Sequence, residues 1–204
     1  MYKNFEKGRS MIEMLGVLAI IGVLSVAGIA GYSKAMEKFK INKAISEYNY
    51  LIFGMIEHSQ DLKKLDDNTH LYGILDAIGL IPSSWQDNST HIKDSLGNTL
   101  QIYFRSNKLM IDMFLGGLIR NSDGIQAVGF SYRLCEKIMQ NVVQPLHSSL
   151  SFAYIYGVSG FFYYGDDYCY GSDRKCLNQM SLTDINKFCY SCPSGKGCAL
   201  VLGF

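Results

Sequence analysis

Proline, tryptophan and histidine are scarce in this chain: three, one and four in 204 residues. The low proline count, set against 14 Tyr and 11 Phe, suits sheet surfaces better than disorder. Net charge is also small. At +1 it creates no field that would draw a polyanion, so no nucleic-acid partner is expected. The four histidines, His58, His70, His91 and His147, are scattered, and none has a matched metal partner at helical spacing. His147 follows Pro145 and reads as a helix-end residue. A phosphate-cradling glycine loop and a serine elbow are both missing. No catalytic residue, metal or cofactor is therefore expected, and the chain does not read as an enzyme. Nor does it contain an internal repeat or a low-complexity linker.

What it does contain is an apolar run. From Met14 to Tyr32 there is no charged residue, while Lys3, Lys7 and Arg9 precede the run and Lys34, Lys38 and Lys40 follow it. That length and composition suit a membrane helix. An ordinary signal peptide fits less well. The run exceeds a usual apolar signal core, and no small-residue cleavage site follows it. Instead Ile41, Ala44, Ile45, Tyr48, Leu51, Ile52, Met55, Ile56 and Leu62 recur at helical spacing. One helix from Ser10 to Leu62 is predicted, apolar all round in its first half and amphipathic in its second. A globular head of this size cannot cover such a helix. Its first half must lie in a bilayer or against copies of itself.

Gly8, then Arg9-Ser10-Met11-Ile12-Glu13-Met14-Leu15, then "GVLAIIGVLS", resembles the prepilin signal of type IV pilins and type II secretion pseudopilins. The resemblance implies a leader over residues 1–8, cut between Gly8 and Arg9 by a prepilin peptidase, with N-methylation of Arg9. It implies that Glu13 is the assembly glutamate of the family. The partners it implies are an inner-membrane assembly platform, membrane lipid, and like or related subunits in a filament. The implied location is the bacterial inner membrane, as a single pass with a periplasmic head, and then a surface or periplasmic filament. Two positions depart from the family pattern. Arg9 stands where Phe, Met or Leu is usual, and Gly28, Ala30 and Gly31 occupy a stretch that often holds proline. Glycine also permits local melting of a helix.

Glu13 has a physical rationale within that picture. A carboxylate at the edge of hydrocarbon is costly unless paired. Cleavage after Gly8 would create an amine at nearly the same depth, so Glu13 of one subunit is expected to neutralise the Arg9 amine of its neighbour. The plainer alternative is a glutamate that snorkels to the interface.

Residues 9–32 are thus assigned to the transmembrane and filament-core helix, 33–65 to its amphipathic continuation, and 66–204 to a globular head. Asn68 is expected to cap a short helix bearing Leu71, Ile74, Leu75 and Ile78. Residues 85–98 read as irregular. "TLQIYFRSNKLMIDMF" reads as a hairpin turning at Ser106-Asn107, with Leu100, Ile102 and Phe104 facing Leu109, Ile111 and Met113. A helix over 132–146, two strands flanking Gly157 to Gly160, a capping box from Ser181 to Asp184, and a terminal strand "ALVLGF" complete an α+β head with an antiparallel sheet.

Six cysteines, Cys135, Cys169, Cys176, Cys189, Cys192 and Cys198, form a high and even set. An exported head implies disulfides. The resemblance to larger type IVb pilins implies Cys135–Cys198. The favoured set adds Cys169–Cys176 and Cys189–Cys192, with every other connectivity open. The "CYSC" stretch could instead be a redox pair, but it follows its helix, where the dipole would not lower a thiol pKa. A zinc site from Cys169, Cys176, Cys189 and Cys192 has unusually wide spacing on one side. Asp166-Asp167, beside three tyrosines, could bind a cation or a sugar, or be a solvated loop tip. The expected function is a filament subunit. The alternatives are a membrane-anchored periplasmic binding module that does not polymerise, or an anchored thiol oxidoreductase.

Overall fold

The computed structural model describes residues 11–62, 65–66, 68–87, 91–121 and 124–204. The chain divides into two compact units at Lys40 and Ile41. Helix α1, Met11–Glu57, runs for 47 residues and contributes to both. In the first unit every described side chain from Glu13 to Ala35 is exposed. The expected single helix to Leu62 is interrupted at His58, after which a short turn of helix, α2 (Ser59–Leu62), follows.

In the second unit α1 buries a stripe of Ala44, Ile45, Tyr48, Leu51, Ile52 and Met55. The steps of three and four put these side chains on one face. That stripe joins a single core with the inner faces of the strands, including Leu100, Ile102, Phe104, Ile111, Met113, Ile155, Leu200 and Leu202.

The sheet has eight strands in the order β1-β2-β3-β4-β10-β7-β8-β9. They span Gln86–Asp87, Ile92–Lys93, Thr99–Arg105, Lys108–Phe114, Ala199–Gly203, Phe152–Tyr156, Phe162–Tyr164 and Lys175–Cys176 in that order. The β3–β4 hairpin has the expected register, with Leu100, Ile102 and Phe104 opposite Met113, Ile111 and Leu109. Its turn residues Ser106 and Asn107 both take positive φ, 52° and 59°, as a two-residue hairpin turn requires. The terminal strand β10 inserts between β4 and β7.

Several expectations are corrected. The sheet is mixed, because β8 and β9 run parallel. A separate hairpin, β5 (Leu118–Asn121) with β6 (Gly124–Ala127), was not foreseen; its strands are too short for alternation to be legible. Asn68 caps no helix. Its φ is +66°, its amide donates to Phe104 O, and the short helix α3 (Tyr72–Ala77) starts after Leu71 without a side-chain cap. Residues 85–98 are not merely a polar loop. Trp85 and Ile92 join the apolar core, and Asp94 and Asn98 are buried with their polar groups satisfied, since Asp94 accepts from the amides of Leu96 and Asn98 and from the Asn98 side chain. The buried Tyr48 hydroxyl also donates to Asp94, tying that turn to α1. Burial first, and the Asp94 charge next, hold the Tyr48 phenol well above its ordinary pKa.

The helix expected over 132–146 is α4 (Tyr132–Ile138), followed by a wider turn at Met139–Val143. There Gln144 N reaches back five residues to Met139 O just before Pro145. Helix α5 (Leu182–Cys189) begins with the expected Ser181–Asp184 capping box.

The three disulfides are Cys135–Cys189, Cys169–Cys176 and Cys192–Cys198. The expected Cys135–Cys198 and Cys189–Cys192 pairs are therefore replaced. Cys135 lies on the buried face of α4 beside Leu134 and Ile138, and Cys189 lies on the buried face of α5 beside Ile185 and Phe188. Those faces meet, bringing the two Cα atoms to 5.8 Å. The chain turns after α5, so Cys192 meets Cys198 at the start of β10 instead. The bridge across 54 residues closes a long loop, and the chain-entropy picture gives it about 4 kcal/mol against about 2 for each short loop.

This connectivity has a direct chemical readout. Trypsin cleavage after Arg133, Lys137, Lys187 and Lys196 leaves peptides 134–137, 188–196 and 197–204. Without reductant they should run as one three-chain species by mass spectrometry. A two-chain species of 134–137 with 197–204, and a separate 188–196, would contradict the fold.

Candidate functional site

Gly8 and Arg9 lie outside the described residues. Glu13 is exposed near the start of the described part of α1. Beyond it Met14, Leu15, Val17, Leu18, Ile20, Ile21, Val23, Leu24, Val26 and Ile29 expose 53–71% of their surface. Each is worth about 1.5–3 kcal/mol when fully buried, so the segment has a strong drive to leave water. The helix is long and apolar enough to cross a membrane.

All six cysteines are consumed in disulfides. Cys189 and Cys192 are bound to different partners, and both are buried. They are thus not a redox pair, and the bridges take up the four sulfurs considered for zinc. Among the described residues no group of three or more His, Cys, Asp or Glu side chains is placed to hold a metal ion.

The polar clusters of the head act as clasps. Glu47 accepts from Trp85 Nε1 at 2.8 Å, Ser84 Oγ at 3.1 Å and Ser95 Oγ at 3.3 Å, with Lys43 at 3.6 Å, fastening the segment around Trp85 to α1. Asp166 is more than a solvated loop tip. His147 Nδ1 lies 2.7 Å from its carboxylate and Asn178 donates to it at 2.9 Å, so the helix-end histidine holds the chain after β8. Lys108 donates to Ser151 Oγ and Tyr168 OH, and this bond pulls the Tyr168 phenol below its ordinary pKa. Arg174 lies over the rings of Tyr164 and Tyr170, at 4.5 and 4.2 Å. Residue identity alone did not reveal most of these contacts, because they join positions distant in sequence.

The outer sheet face carries Asp112, whose Oδ2 accepts from Tyr103 OH at 3.1 Å while Oδ1 has no hydrogen-bond partner among the described residues. Burial raises the Asp112 carboxyl above the ordinary range. Burial first and Asp112 next push Tyr103 up to about 12.

No family model matches the chain, and neither a curated protein nor a solved structure matches it.

The Asp112 pair predicts a pH dependence. A carboxyl raised in the folded state binds its proton more tightly there than in the unfolded chain. Its ionised form therefore costs stability at neutral pH, and the cost fades as pH falls through the folded pKa. Asp112→Asn should be most stabilising relative to the parent near pH 7, and the difference in urea unfolding should shrink toward pH 4. In the same variant the Tyr103 phenol, followed by its ultraviolet titration, should ionise below its parental value of about 12. It should stay above an ordinary tyrosine, because burial is the larger cause. An unchanged titration would count against the pair.

Proposed function

We propose that the chain is a structural subunit of a type IV pilus or type II secretion pseudopilus. Its leader, residues 1–8, is removed by a prepilin peptidase between Gly8 and Arg9, and Arg9 is N-methylated. The subunit waits in the bacterial inner membrane through residues 14–32, with its head in the periplasm. It then joins a filament of like or related subunits through the N-terminal helix.

The observation that carries this reading is the bare apolar half of α1, with Glu13 at its lip, on a helix whose other half is built into a head. An anchor alone needs no glutamate at that edge, whereas a filament core can pair it with a neighbour's terminal amine. Three disulfides suit an oxidising compartment outside the cytoplasm. Packing bare helices against one another buries in protein the surface that lipid covered before assembly.

A second reading is an anchored periplasmic binding module that never polymerises. An open cleft in the head, beside Tyr156, favours it. The two part at Glu13. In cells with the assembly machinery, Glu13→Ala should cut sheared filaments at least tenfold, seen by electron microscopy, while the oxidised protein stays at parental level in the membrane. Filaments at parental level from that variant would overturn the role of Glu13, and a parental chain that stays in the membrane and is missing from sheared filaments would overturn the filament reading and leave the binding module.

A further inference from the structure

The three disulfides differ in how they meet solvent. Cys135 and Cys189 are wholly buried, and Cys192 and Cys198 are each 2% exposed, whereas Cys169 and Cys176 are only half-buried. Thiol–disulfide exchange requires a thiolate to reach a bridge sulfur from outside. At the buried bridges that access demands a prior opening of the core, where α4 meets α5 or at the approach to β10. At Cys169–Cys176 it demands much less.

The segment closed by this bridge is lightly held. It carries β9, an edge strand of two residues, Lys175 and Cys176, which pairs with β8 and runs parallel to it. So short a strand adds few ladder hydrogen bonds. Tyr170, Gly171, Ser172 and Asp173 are all exposed. Apart from the bridge and the ladder, the main hold is Arg174. It donates to Tyr168 O and lies over the rings of Tyr164 and Tyr170.

Both ends of the segment are pinned independently. Asp166 accepts from Asn178 at 2.9 Å and meets His147 at 2.7 Å, and Leu177 is fully buried. Asp166 and Asn178 stand on either side of the bridged loop, so their hydrogen bond closes it at its base. Opening Cys169–Cys176 therefore loosens residues 169–176 and leaves the chain before and after them in place. Within the loosened stretch lie two adjacent basic residues, Arg174-Lys175. Proteolysis acts on a locally opened chain, and the bridge, the ladder and the Arg174 clasp together keep this site closed.

We propose that Cys169–Cys176 is a redox latch: a dithiol reductant opens this bridge alone in the folded head, which releases β9 from the sheet edge and exposes Arg174-Lys175 to proteolysis. One thiolate of the dithiol attacks a bridge sulfur, forms a mixed disulfide and expels the other cysteine as a thiolate. The second thiol of the reductant then attacks its own sulfur in the mixed disulfide, closes to a disulfide and expels the second cysteine. The reductant loses two electrons and two protons, and both cysteines end as thiols. The latch lies wholly in the head, so it holds for a filament subunit or an anchored module alike.

The test treats the full oxidised chain, in detergent, with dithiothreitol under native conditions. Samples are quenched with N-ethylmaleimide over time and mapped by peptide mass. Cys169 and Cys176 should be alkylated about tenfold or more faster than the other four cysteines, since only they escape the need for core opening. Brief native trypsin digestion should cut after Arg174 or Lys175 about tenfold faster once that bridge is open. A double variant, Cys169→Ser with Cys176→Ser, should be cut at that faster rate without reductant, while its mass map retains Cys135–Cys189 and Cys192–Cys198. Reduction of all six cysteines at one rate would overturn the proposal, whatever the variant does. So would a cleavage rate after Arg174 and Lys175 that is the same before and after selective reduction.

Discussion

Helix α1 has to satisfy two environments along one continuous backbone, and the architecture follows from that demand. Over Ile41 to Met55 its apolar residues keep to one stripe, and the head covers it. Over Met14 to Tyr32 apolar residues occupy every side, and among the described residues nothing covers the exposed positions. Charge drawn to either end of that upper segment marks its limits: Glu13 before it, and Lys34, Lys38 and Lys40 after it. A segment so built is stable only where lipid or other apolar helices replace water.

The head is fastened to the lower half of α1 by groups that leave that helix sideways. Tyr48 reaches Asp94 and Glu47 reaches Trp85, Ser84 and Ser95. Each carboxylate is fully engaged, so burying it does not leave an isolated charge. Farther along the chain the strands shorten to two or three residues at β8 and β9, too few for ladder hydrogen bonds to hold them alone. Disulfides concentrate in that same C-terminal third. Cys169–Cys176 closes the loop leading into β9, Cys135–Cys189 locks α4 to α5, and Cys192–Cys198 fixes the approach to β10.

Much of this was legible in the residues. The apolar run, its amphipathic continuation, the β3–β4 register, the capping box at Ser181 and the last strand all follow from period and turn chemistry, which are local. What was not legible depends on tertiary placement. The faces of α4 and α5 decide the partner of Cys135, and no spacing in the sequence encodes how two helices meet. The buried turn at Asp94 reads as polar loop because its polar groups satisfy one another only after folding. Asn68 has the composition of a cap, yet its amide is taken by β3 and its backbone is left-handed. The cleft beside Tyr156 combines β3, β4, β6 and β7 with the approach to β10, so no local pattern announces it. Of the expected processing and assembly residues, only Glu13 falls within the described chain, where it is exposed before the apolar run.

The central claim is that the apolar half of α1 is uncovered at its amino end and then packed into a filament. The most direct measurement is the intact mass and N-terminal sequence of the protein from membrane and sheared-surface fractions, without reductant, in cells with and without a prepilin peptidase. The account predicts a peptidase-dependent chain beginning at Arg9, carrying a methyl group and lacking six cysteine protons. A chain that still begins at Met1 in the membrane of peptidase-bearing cells, and is missing from the surface fraction, would contradict it.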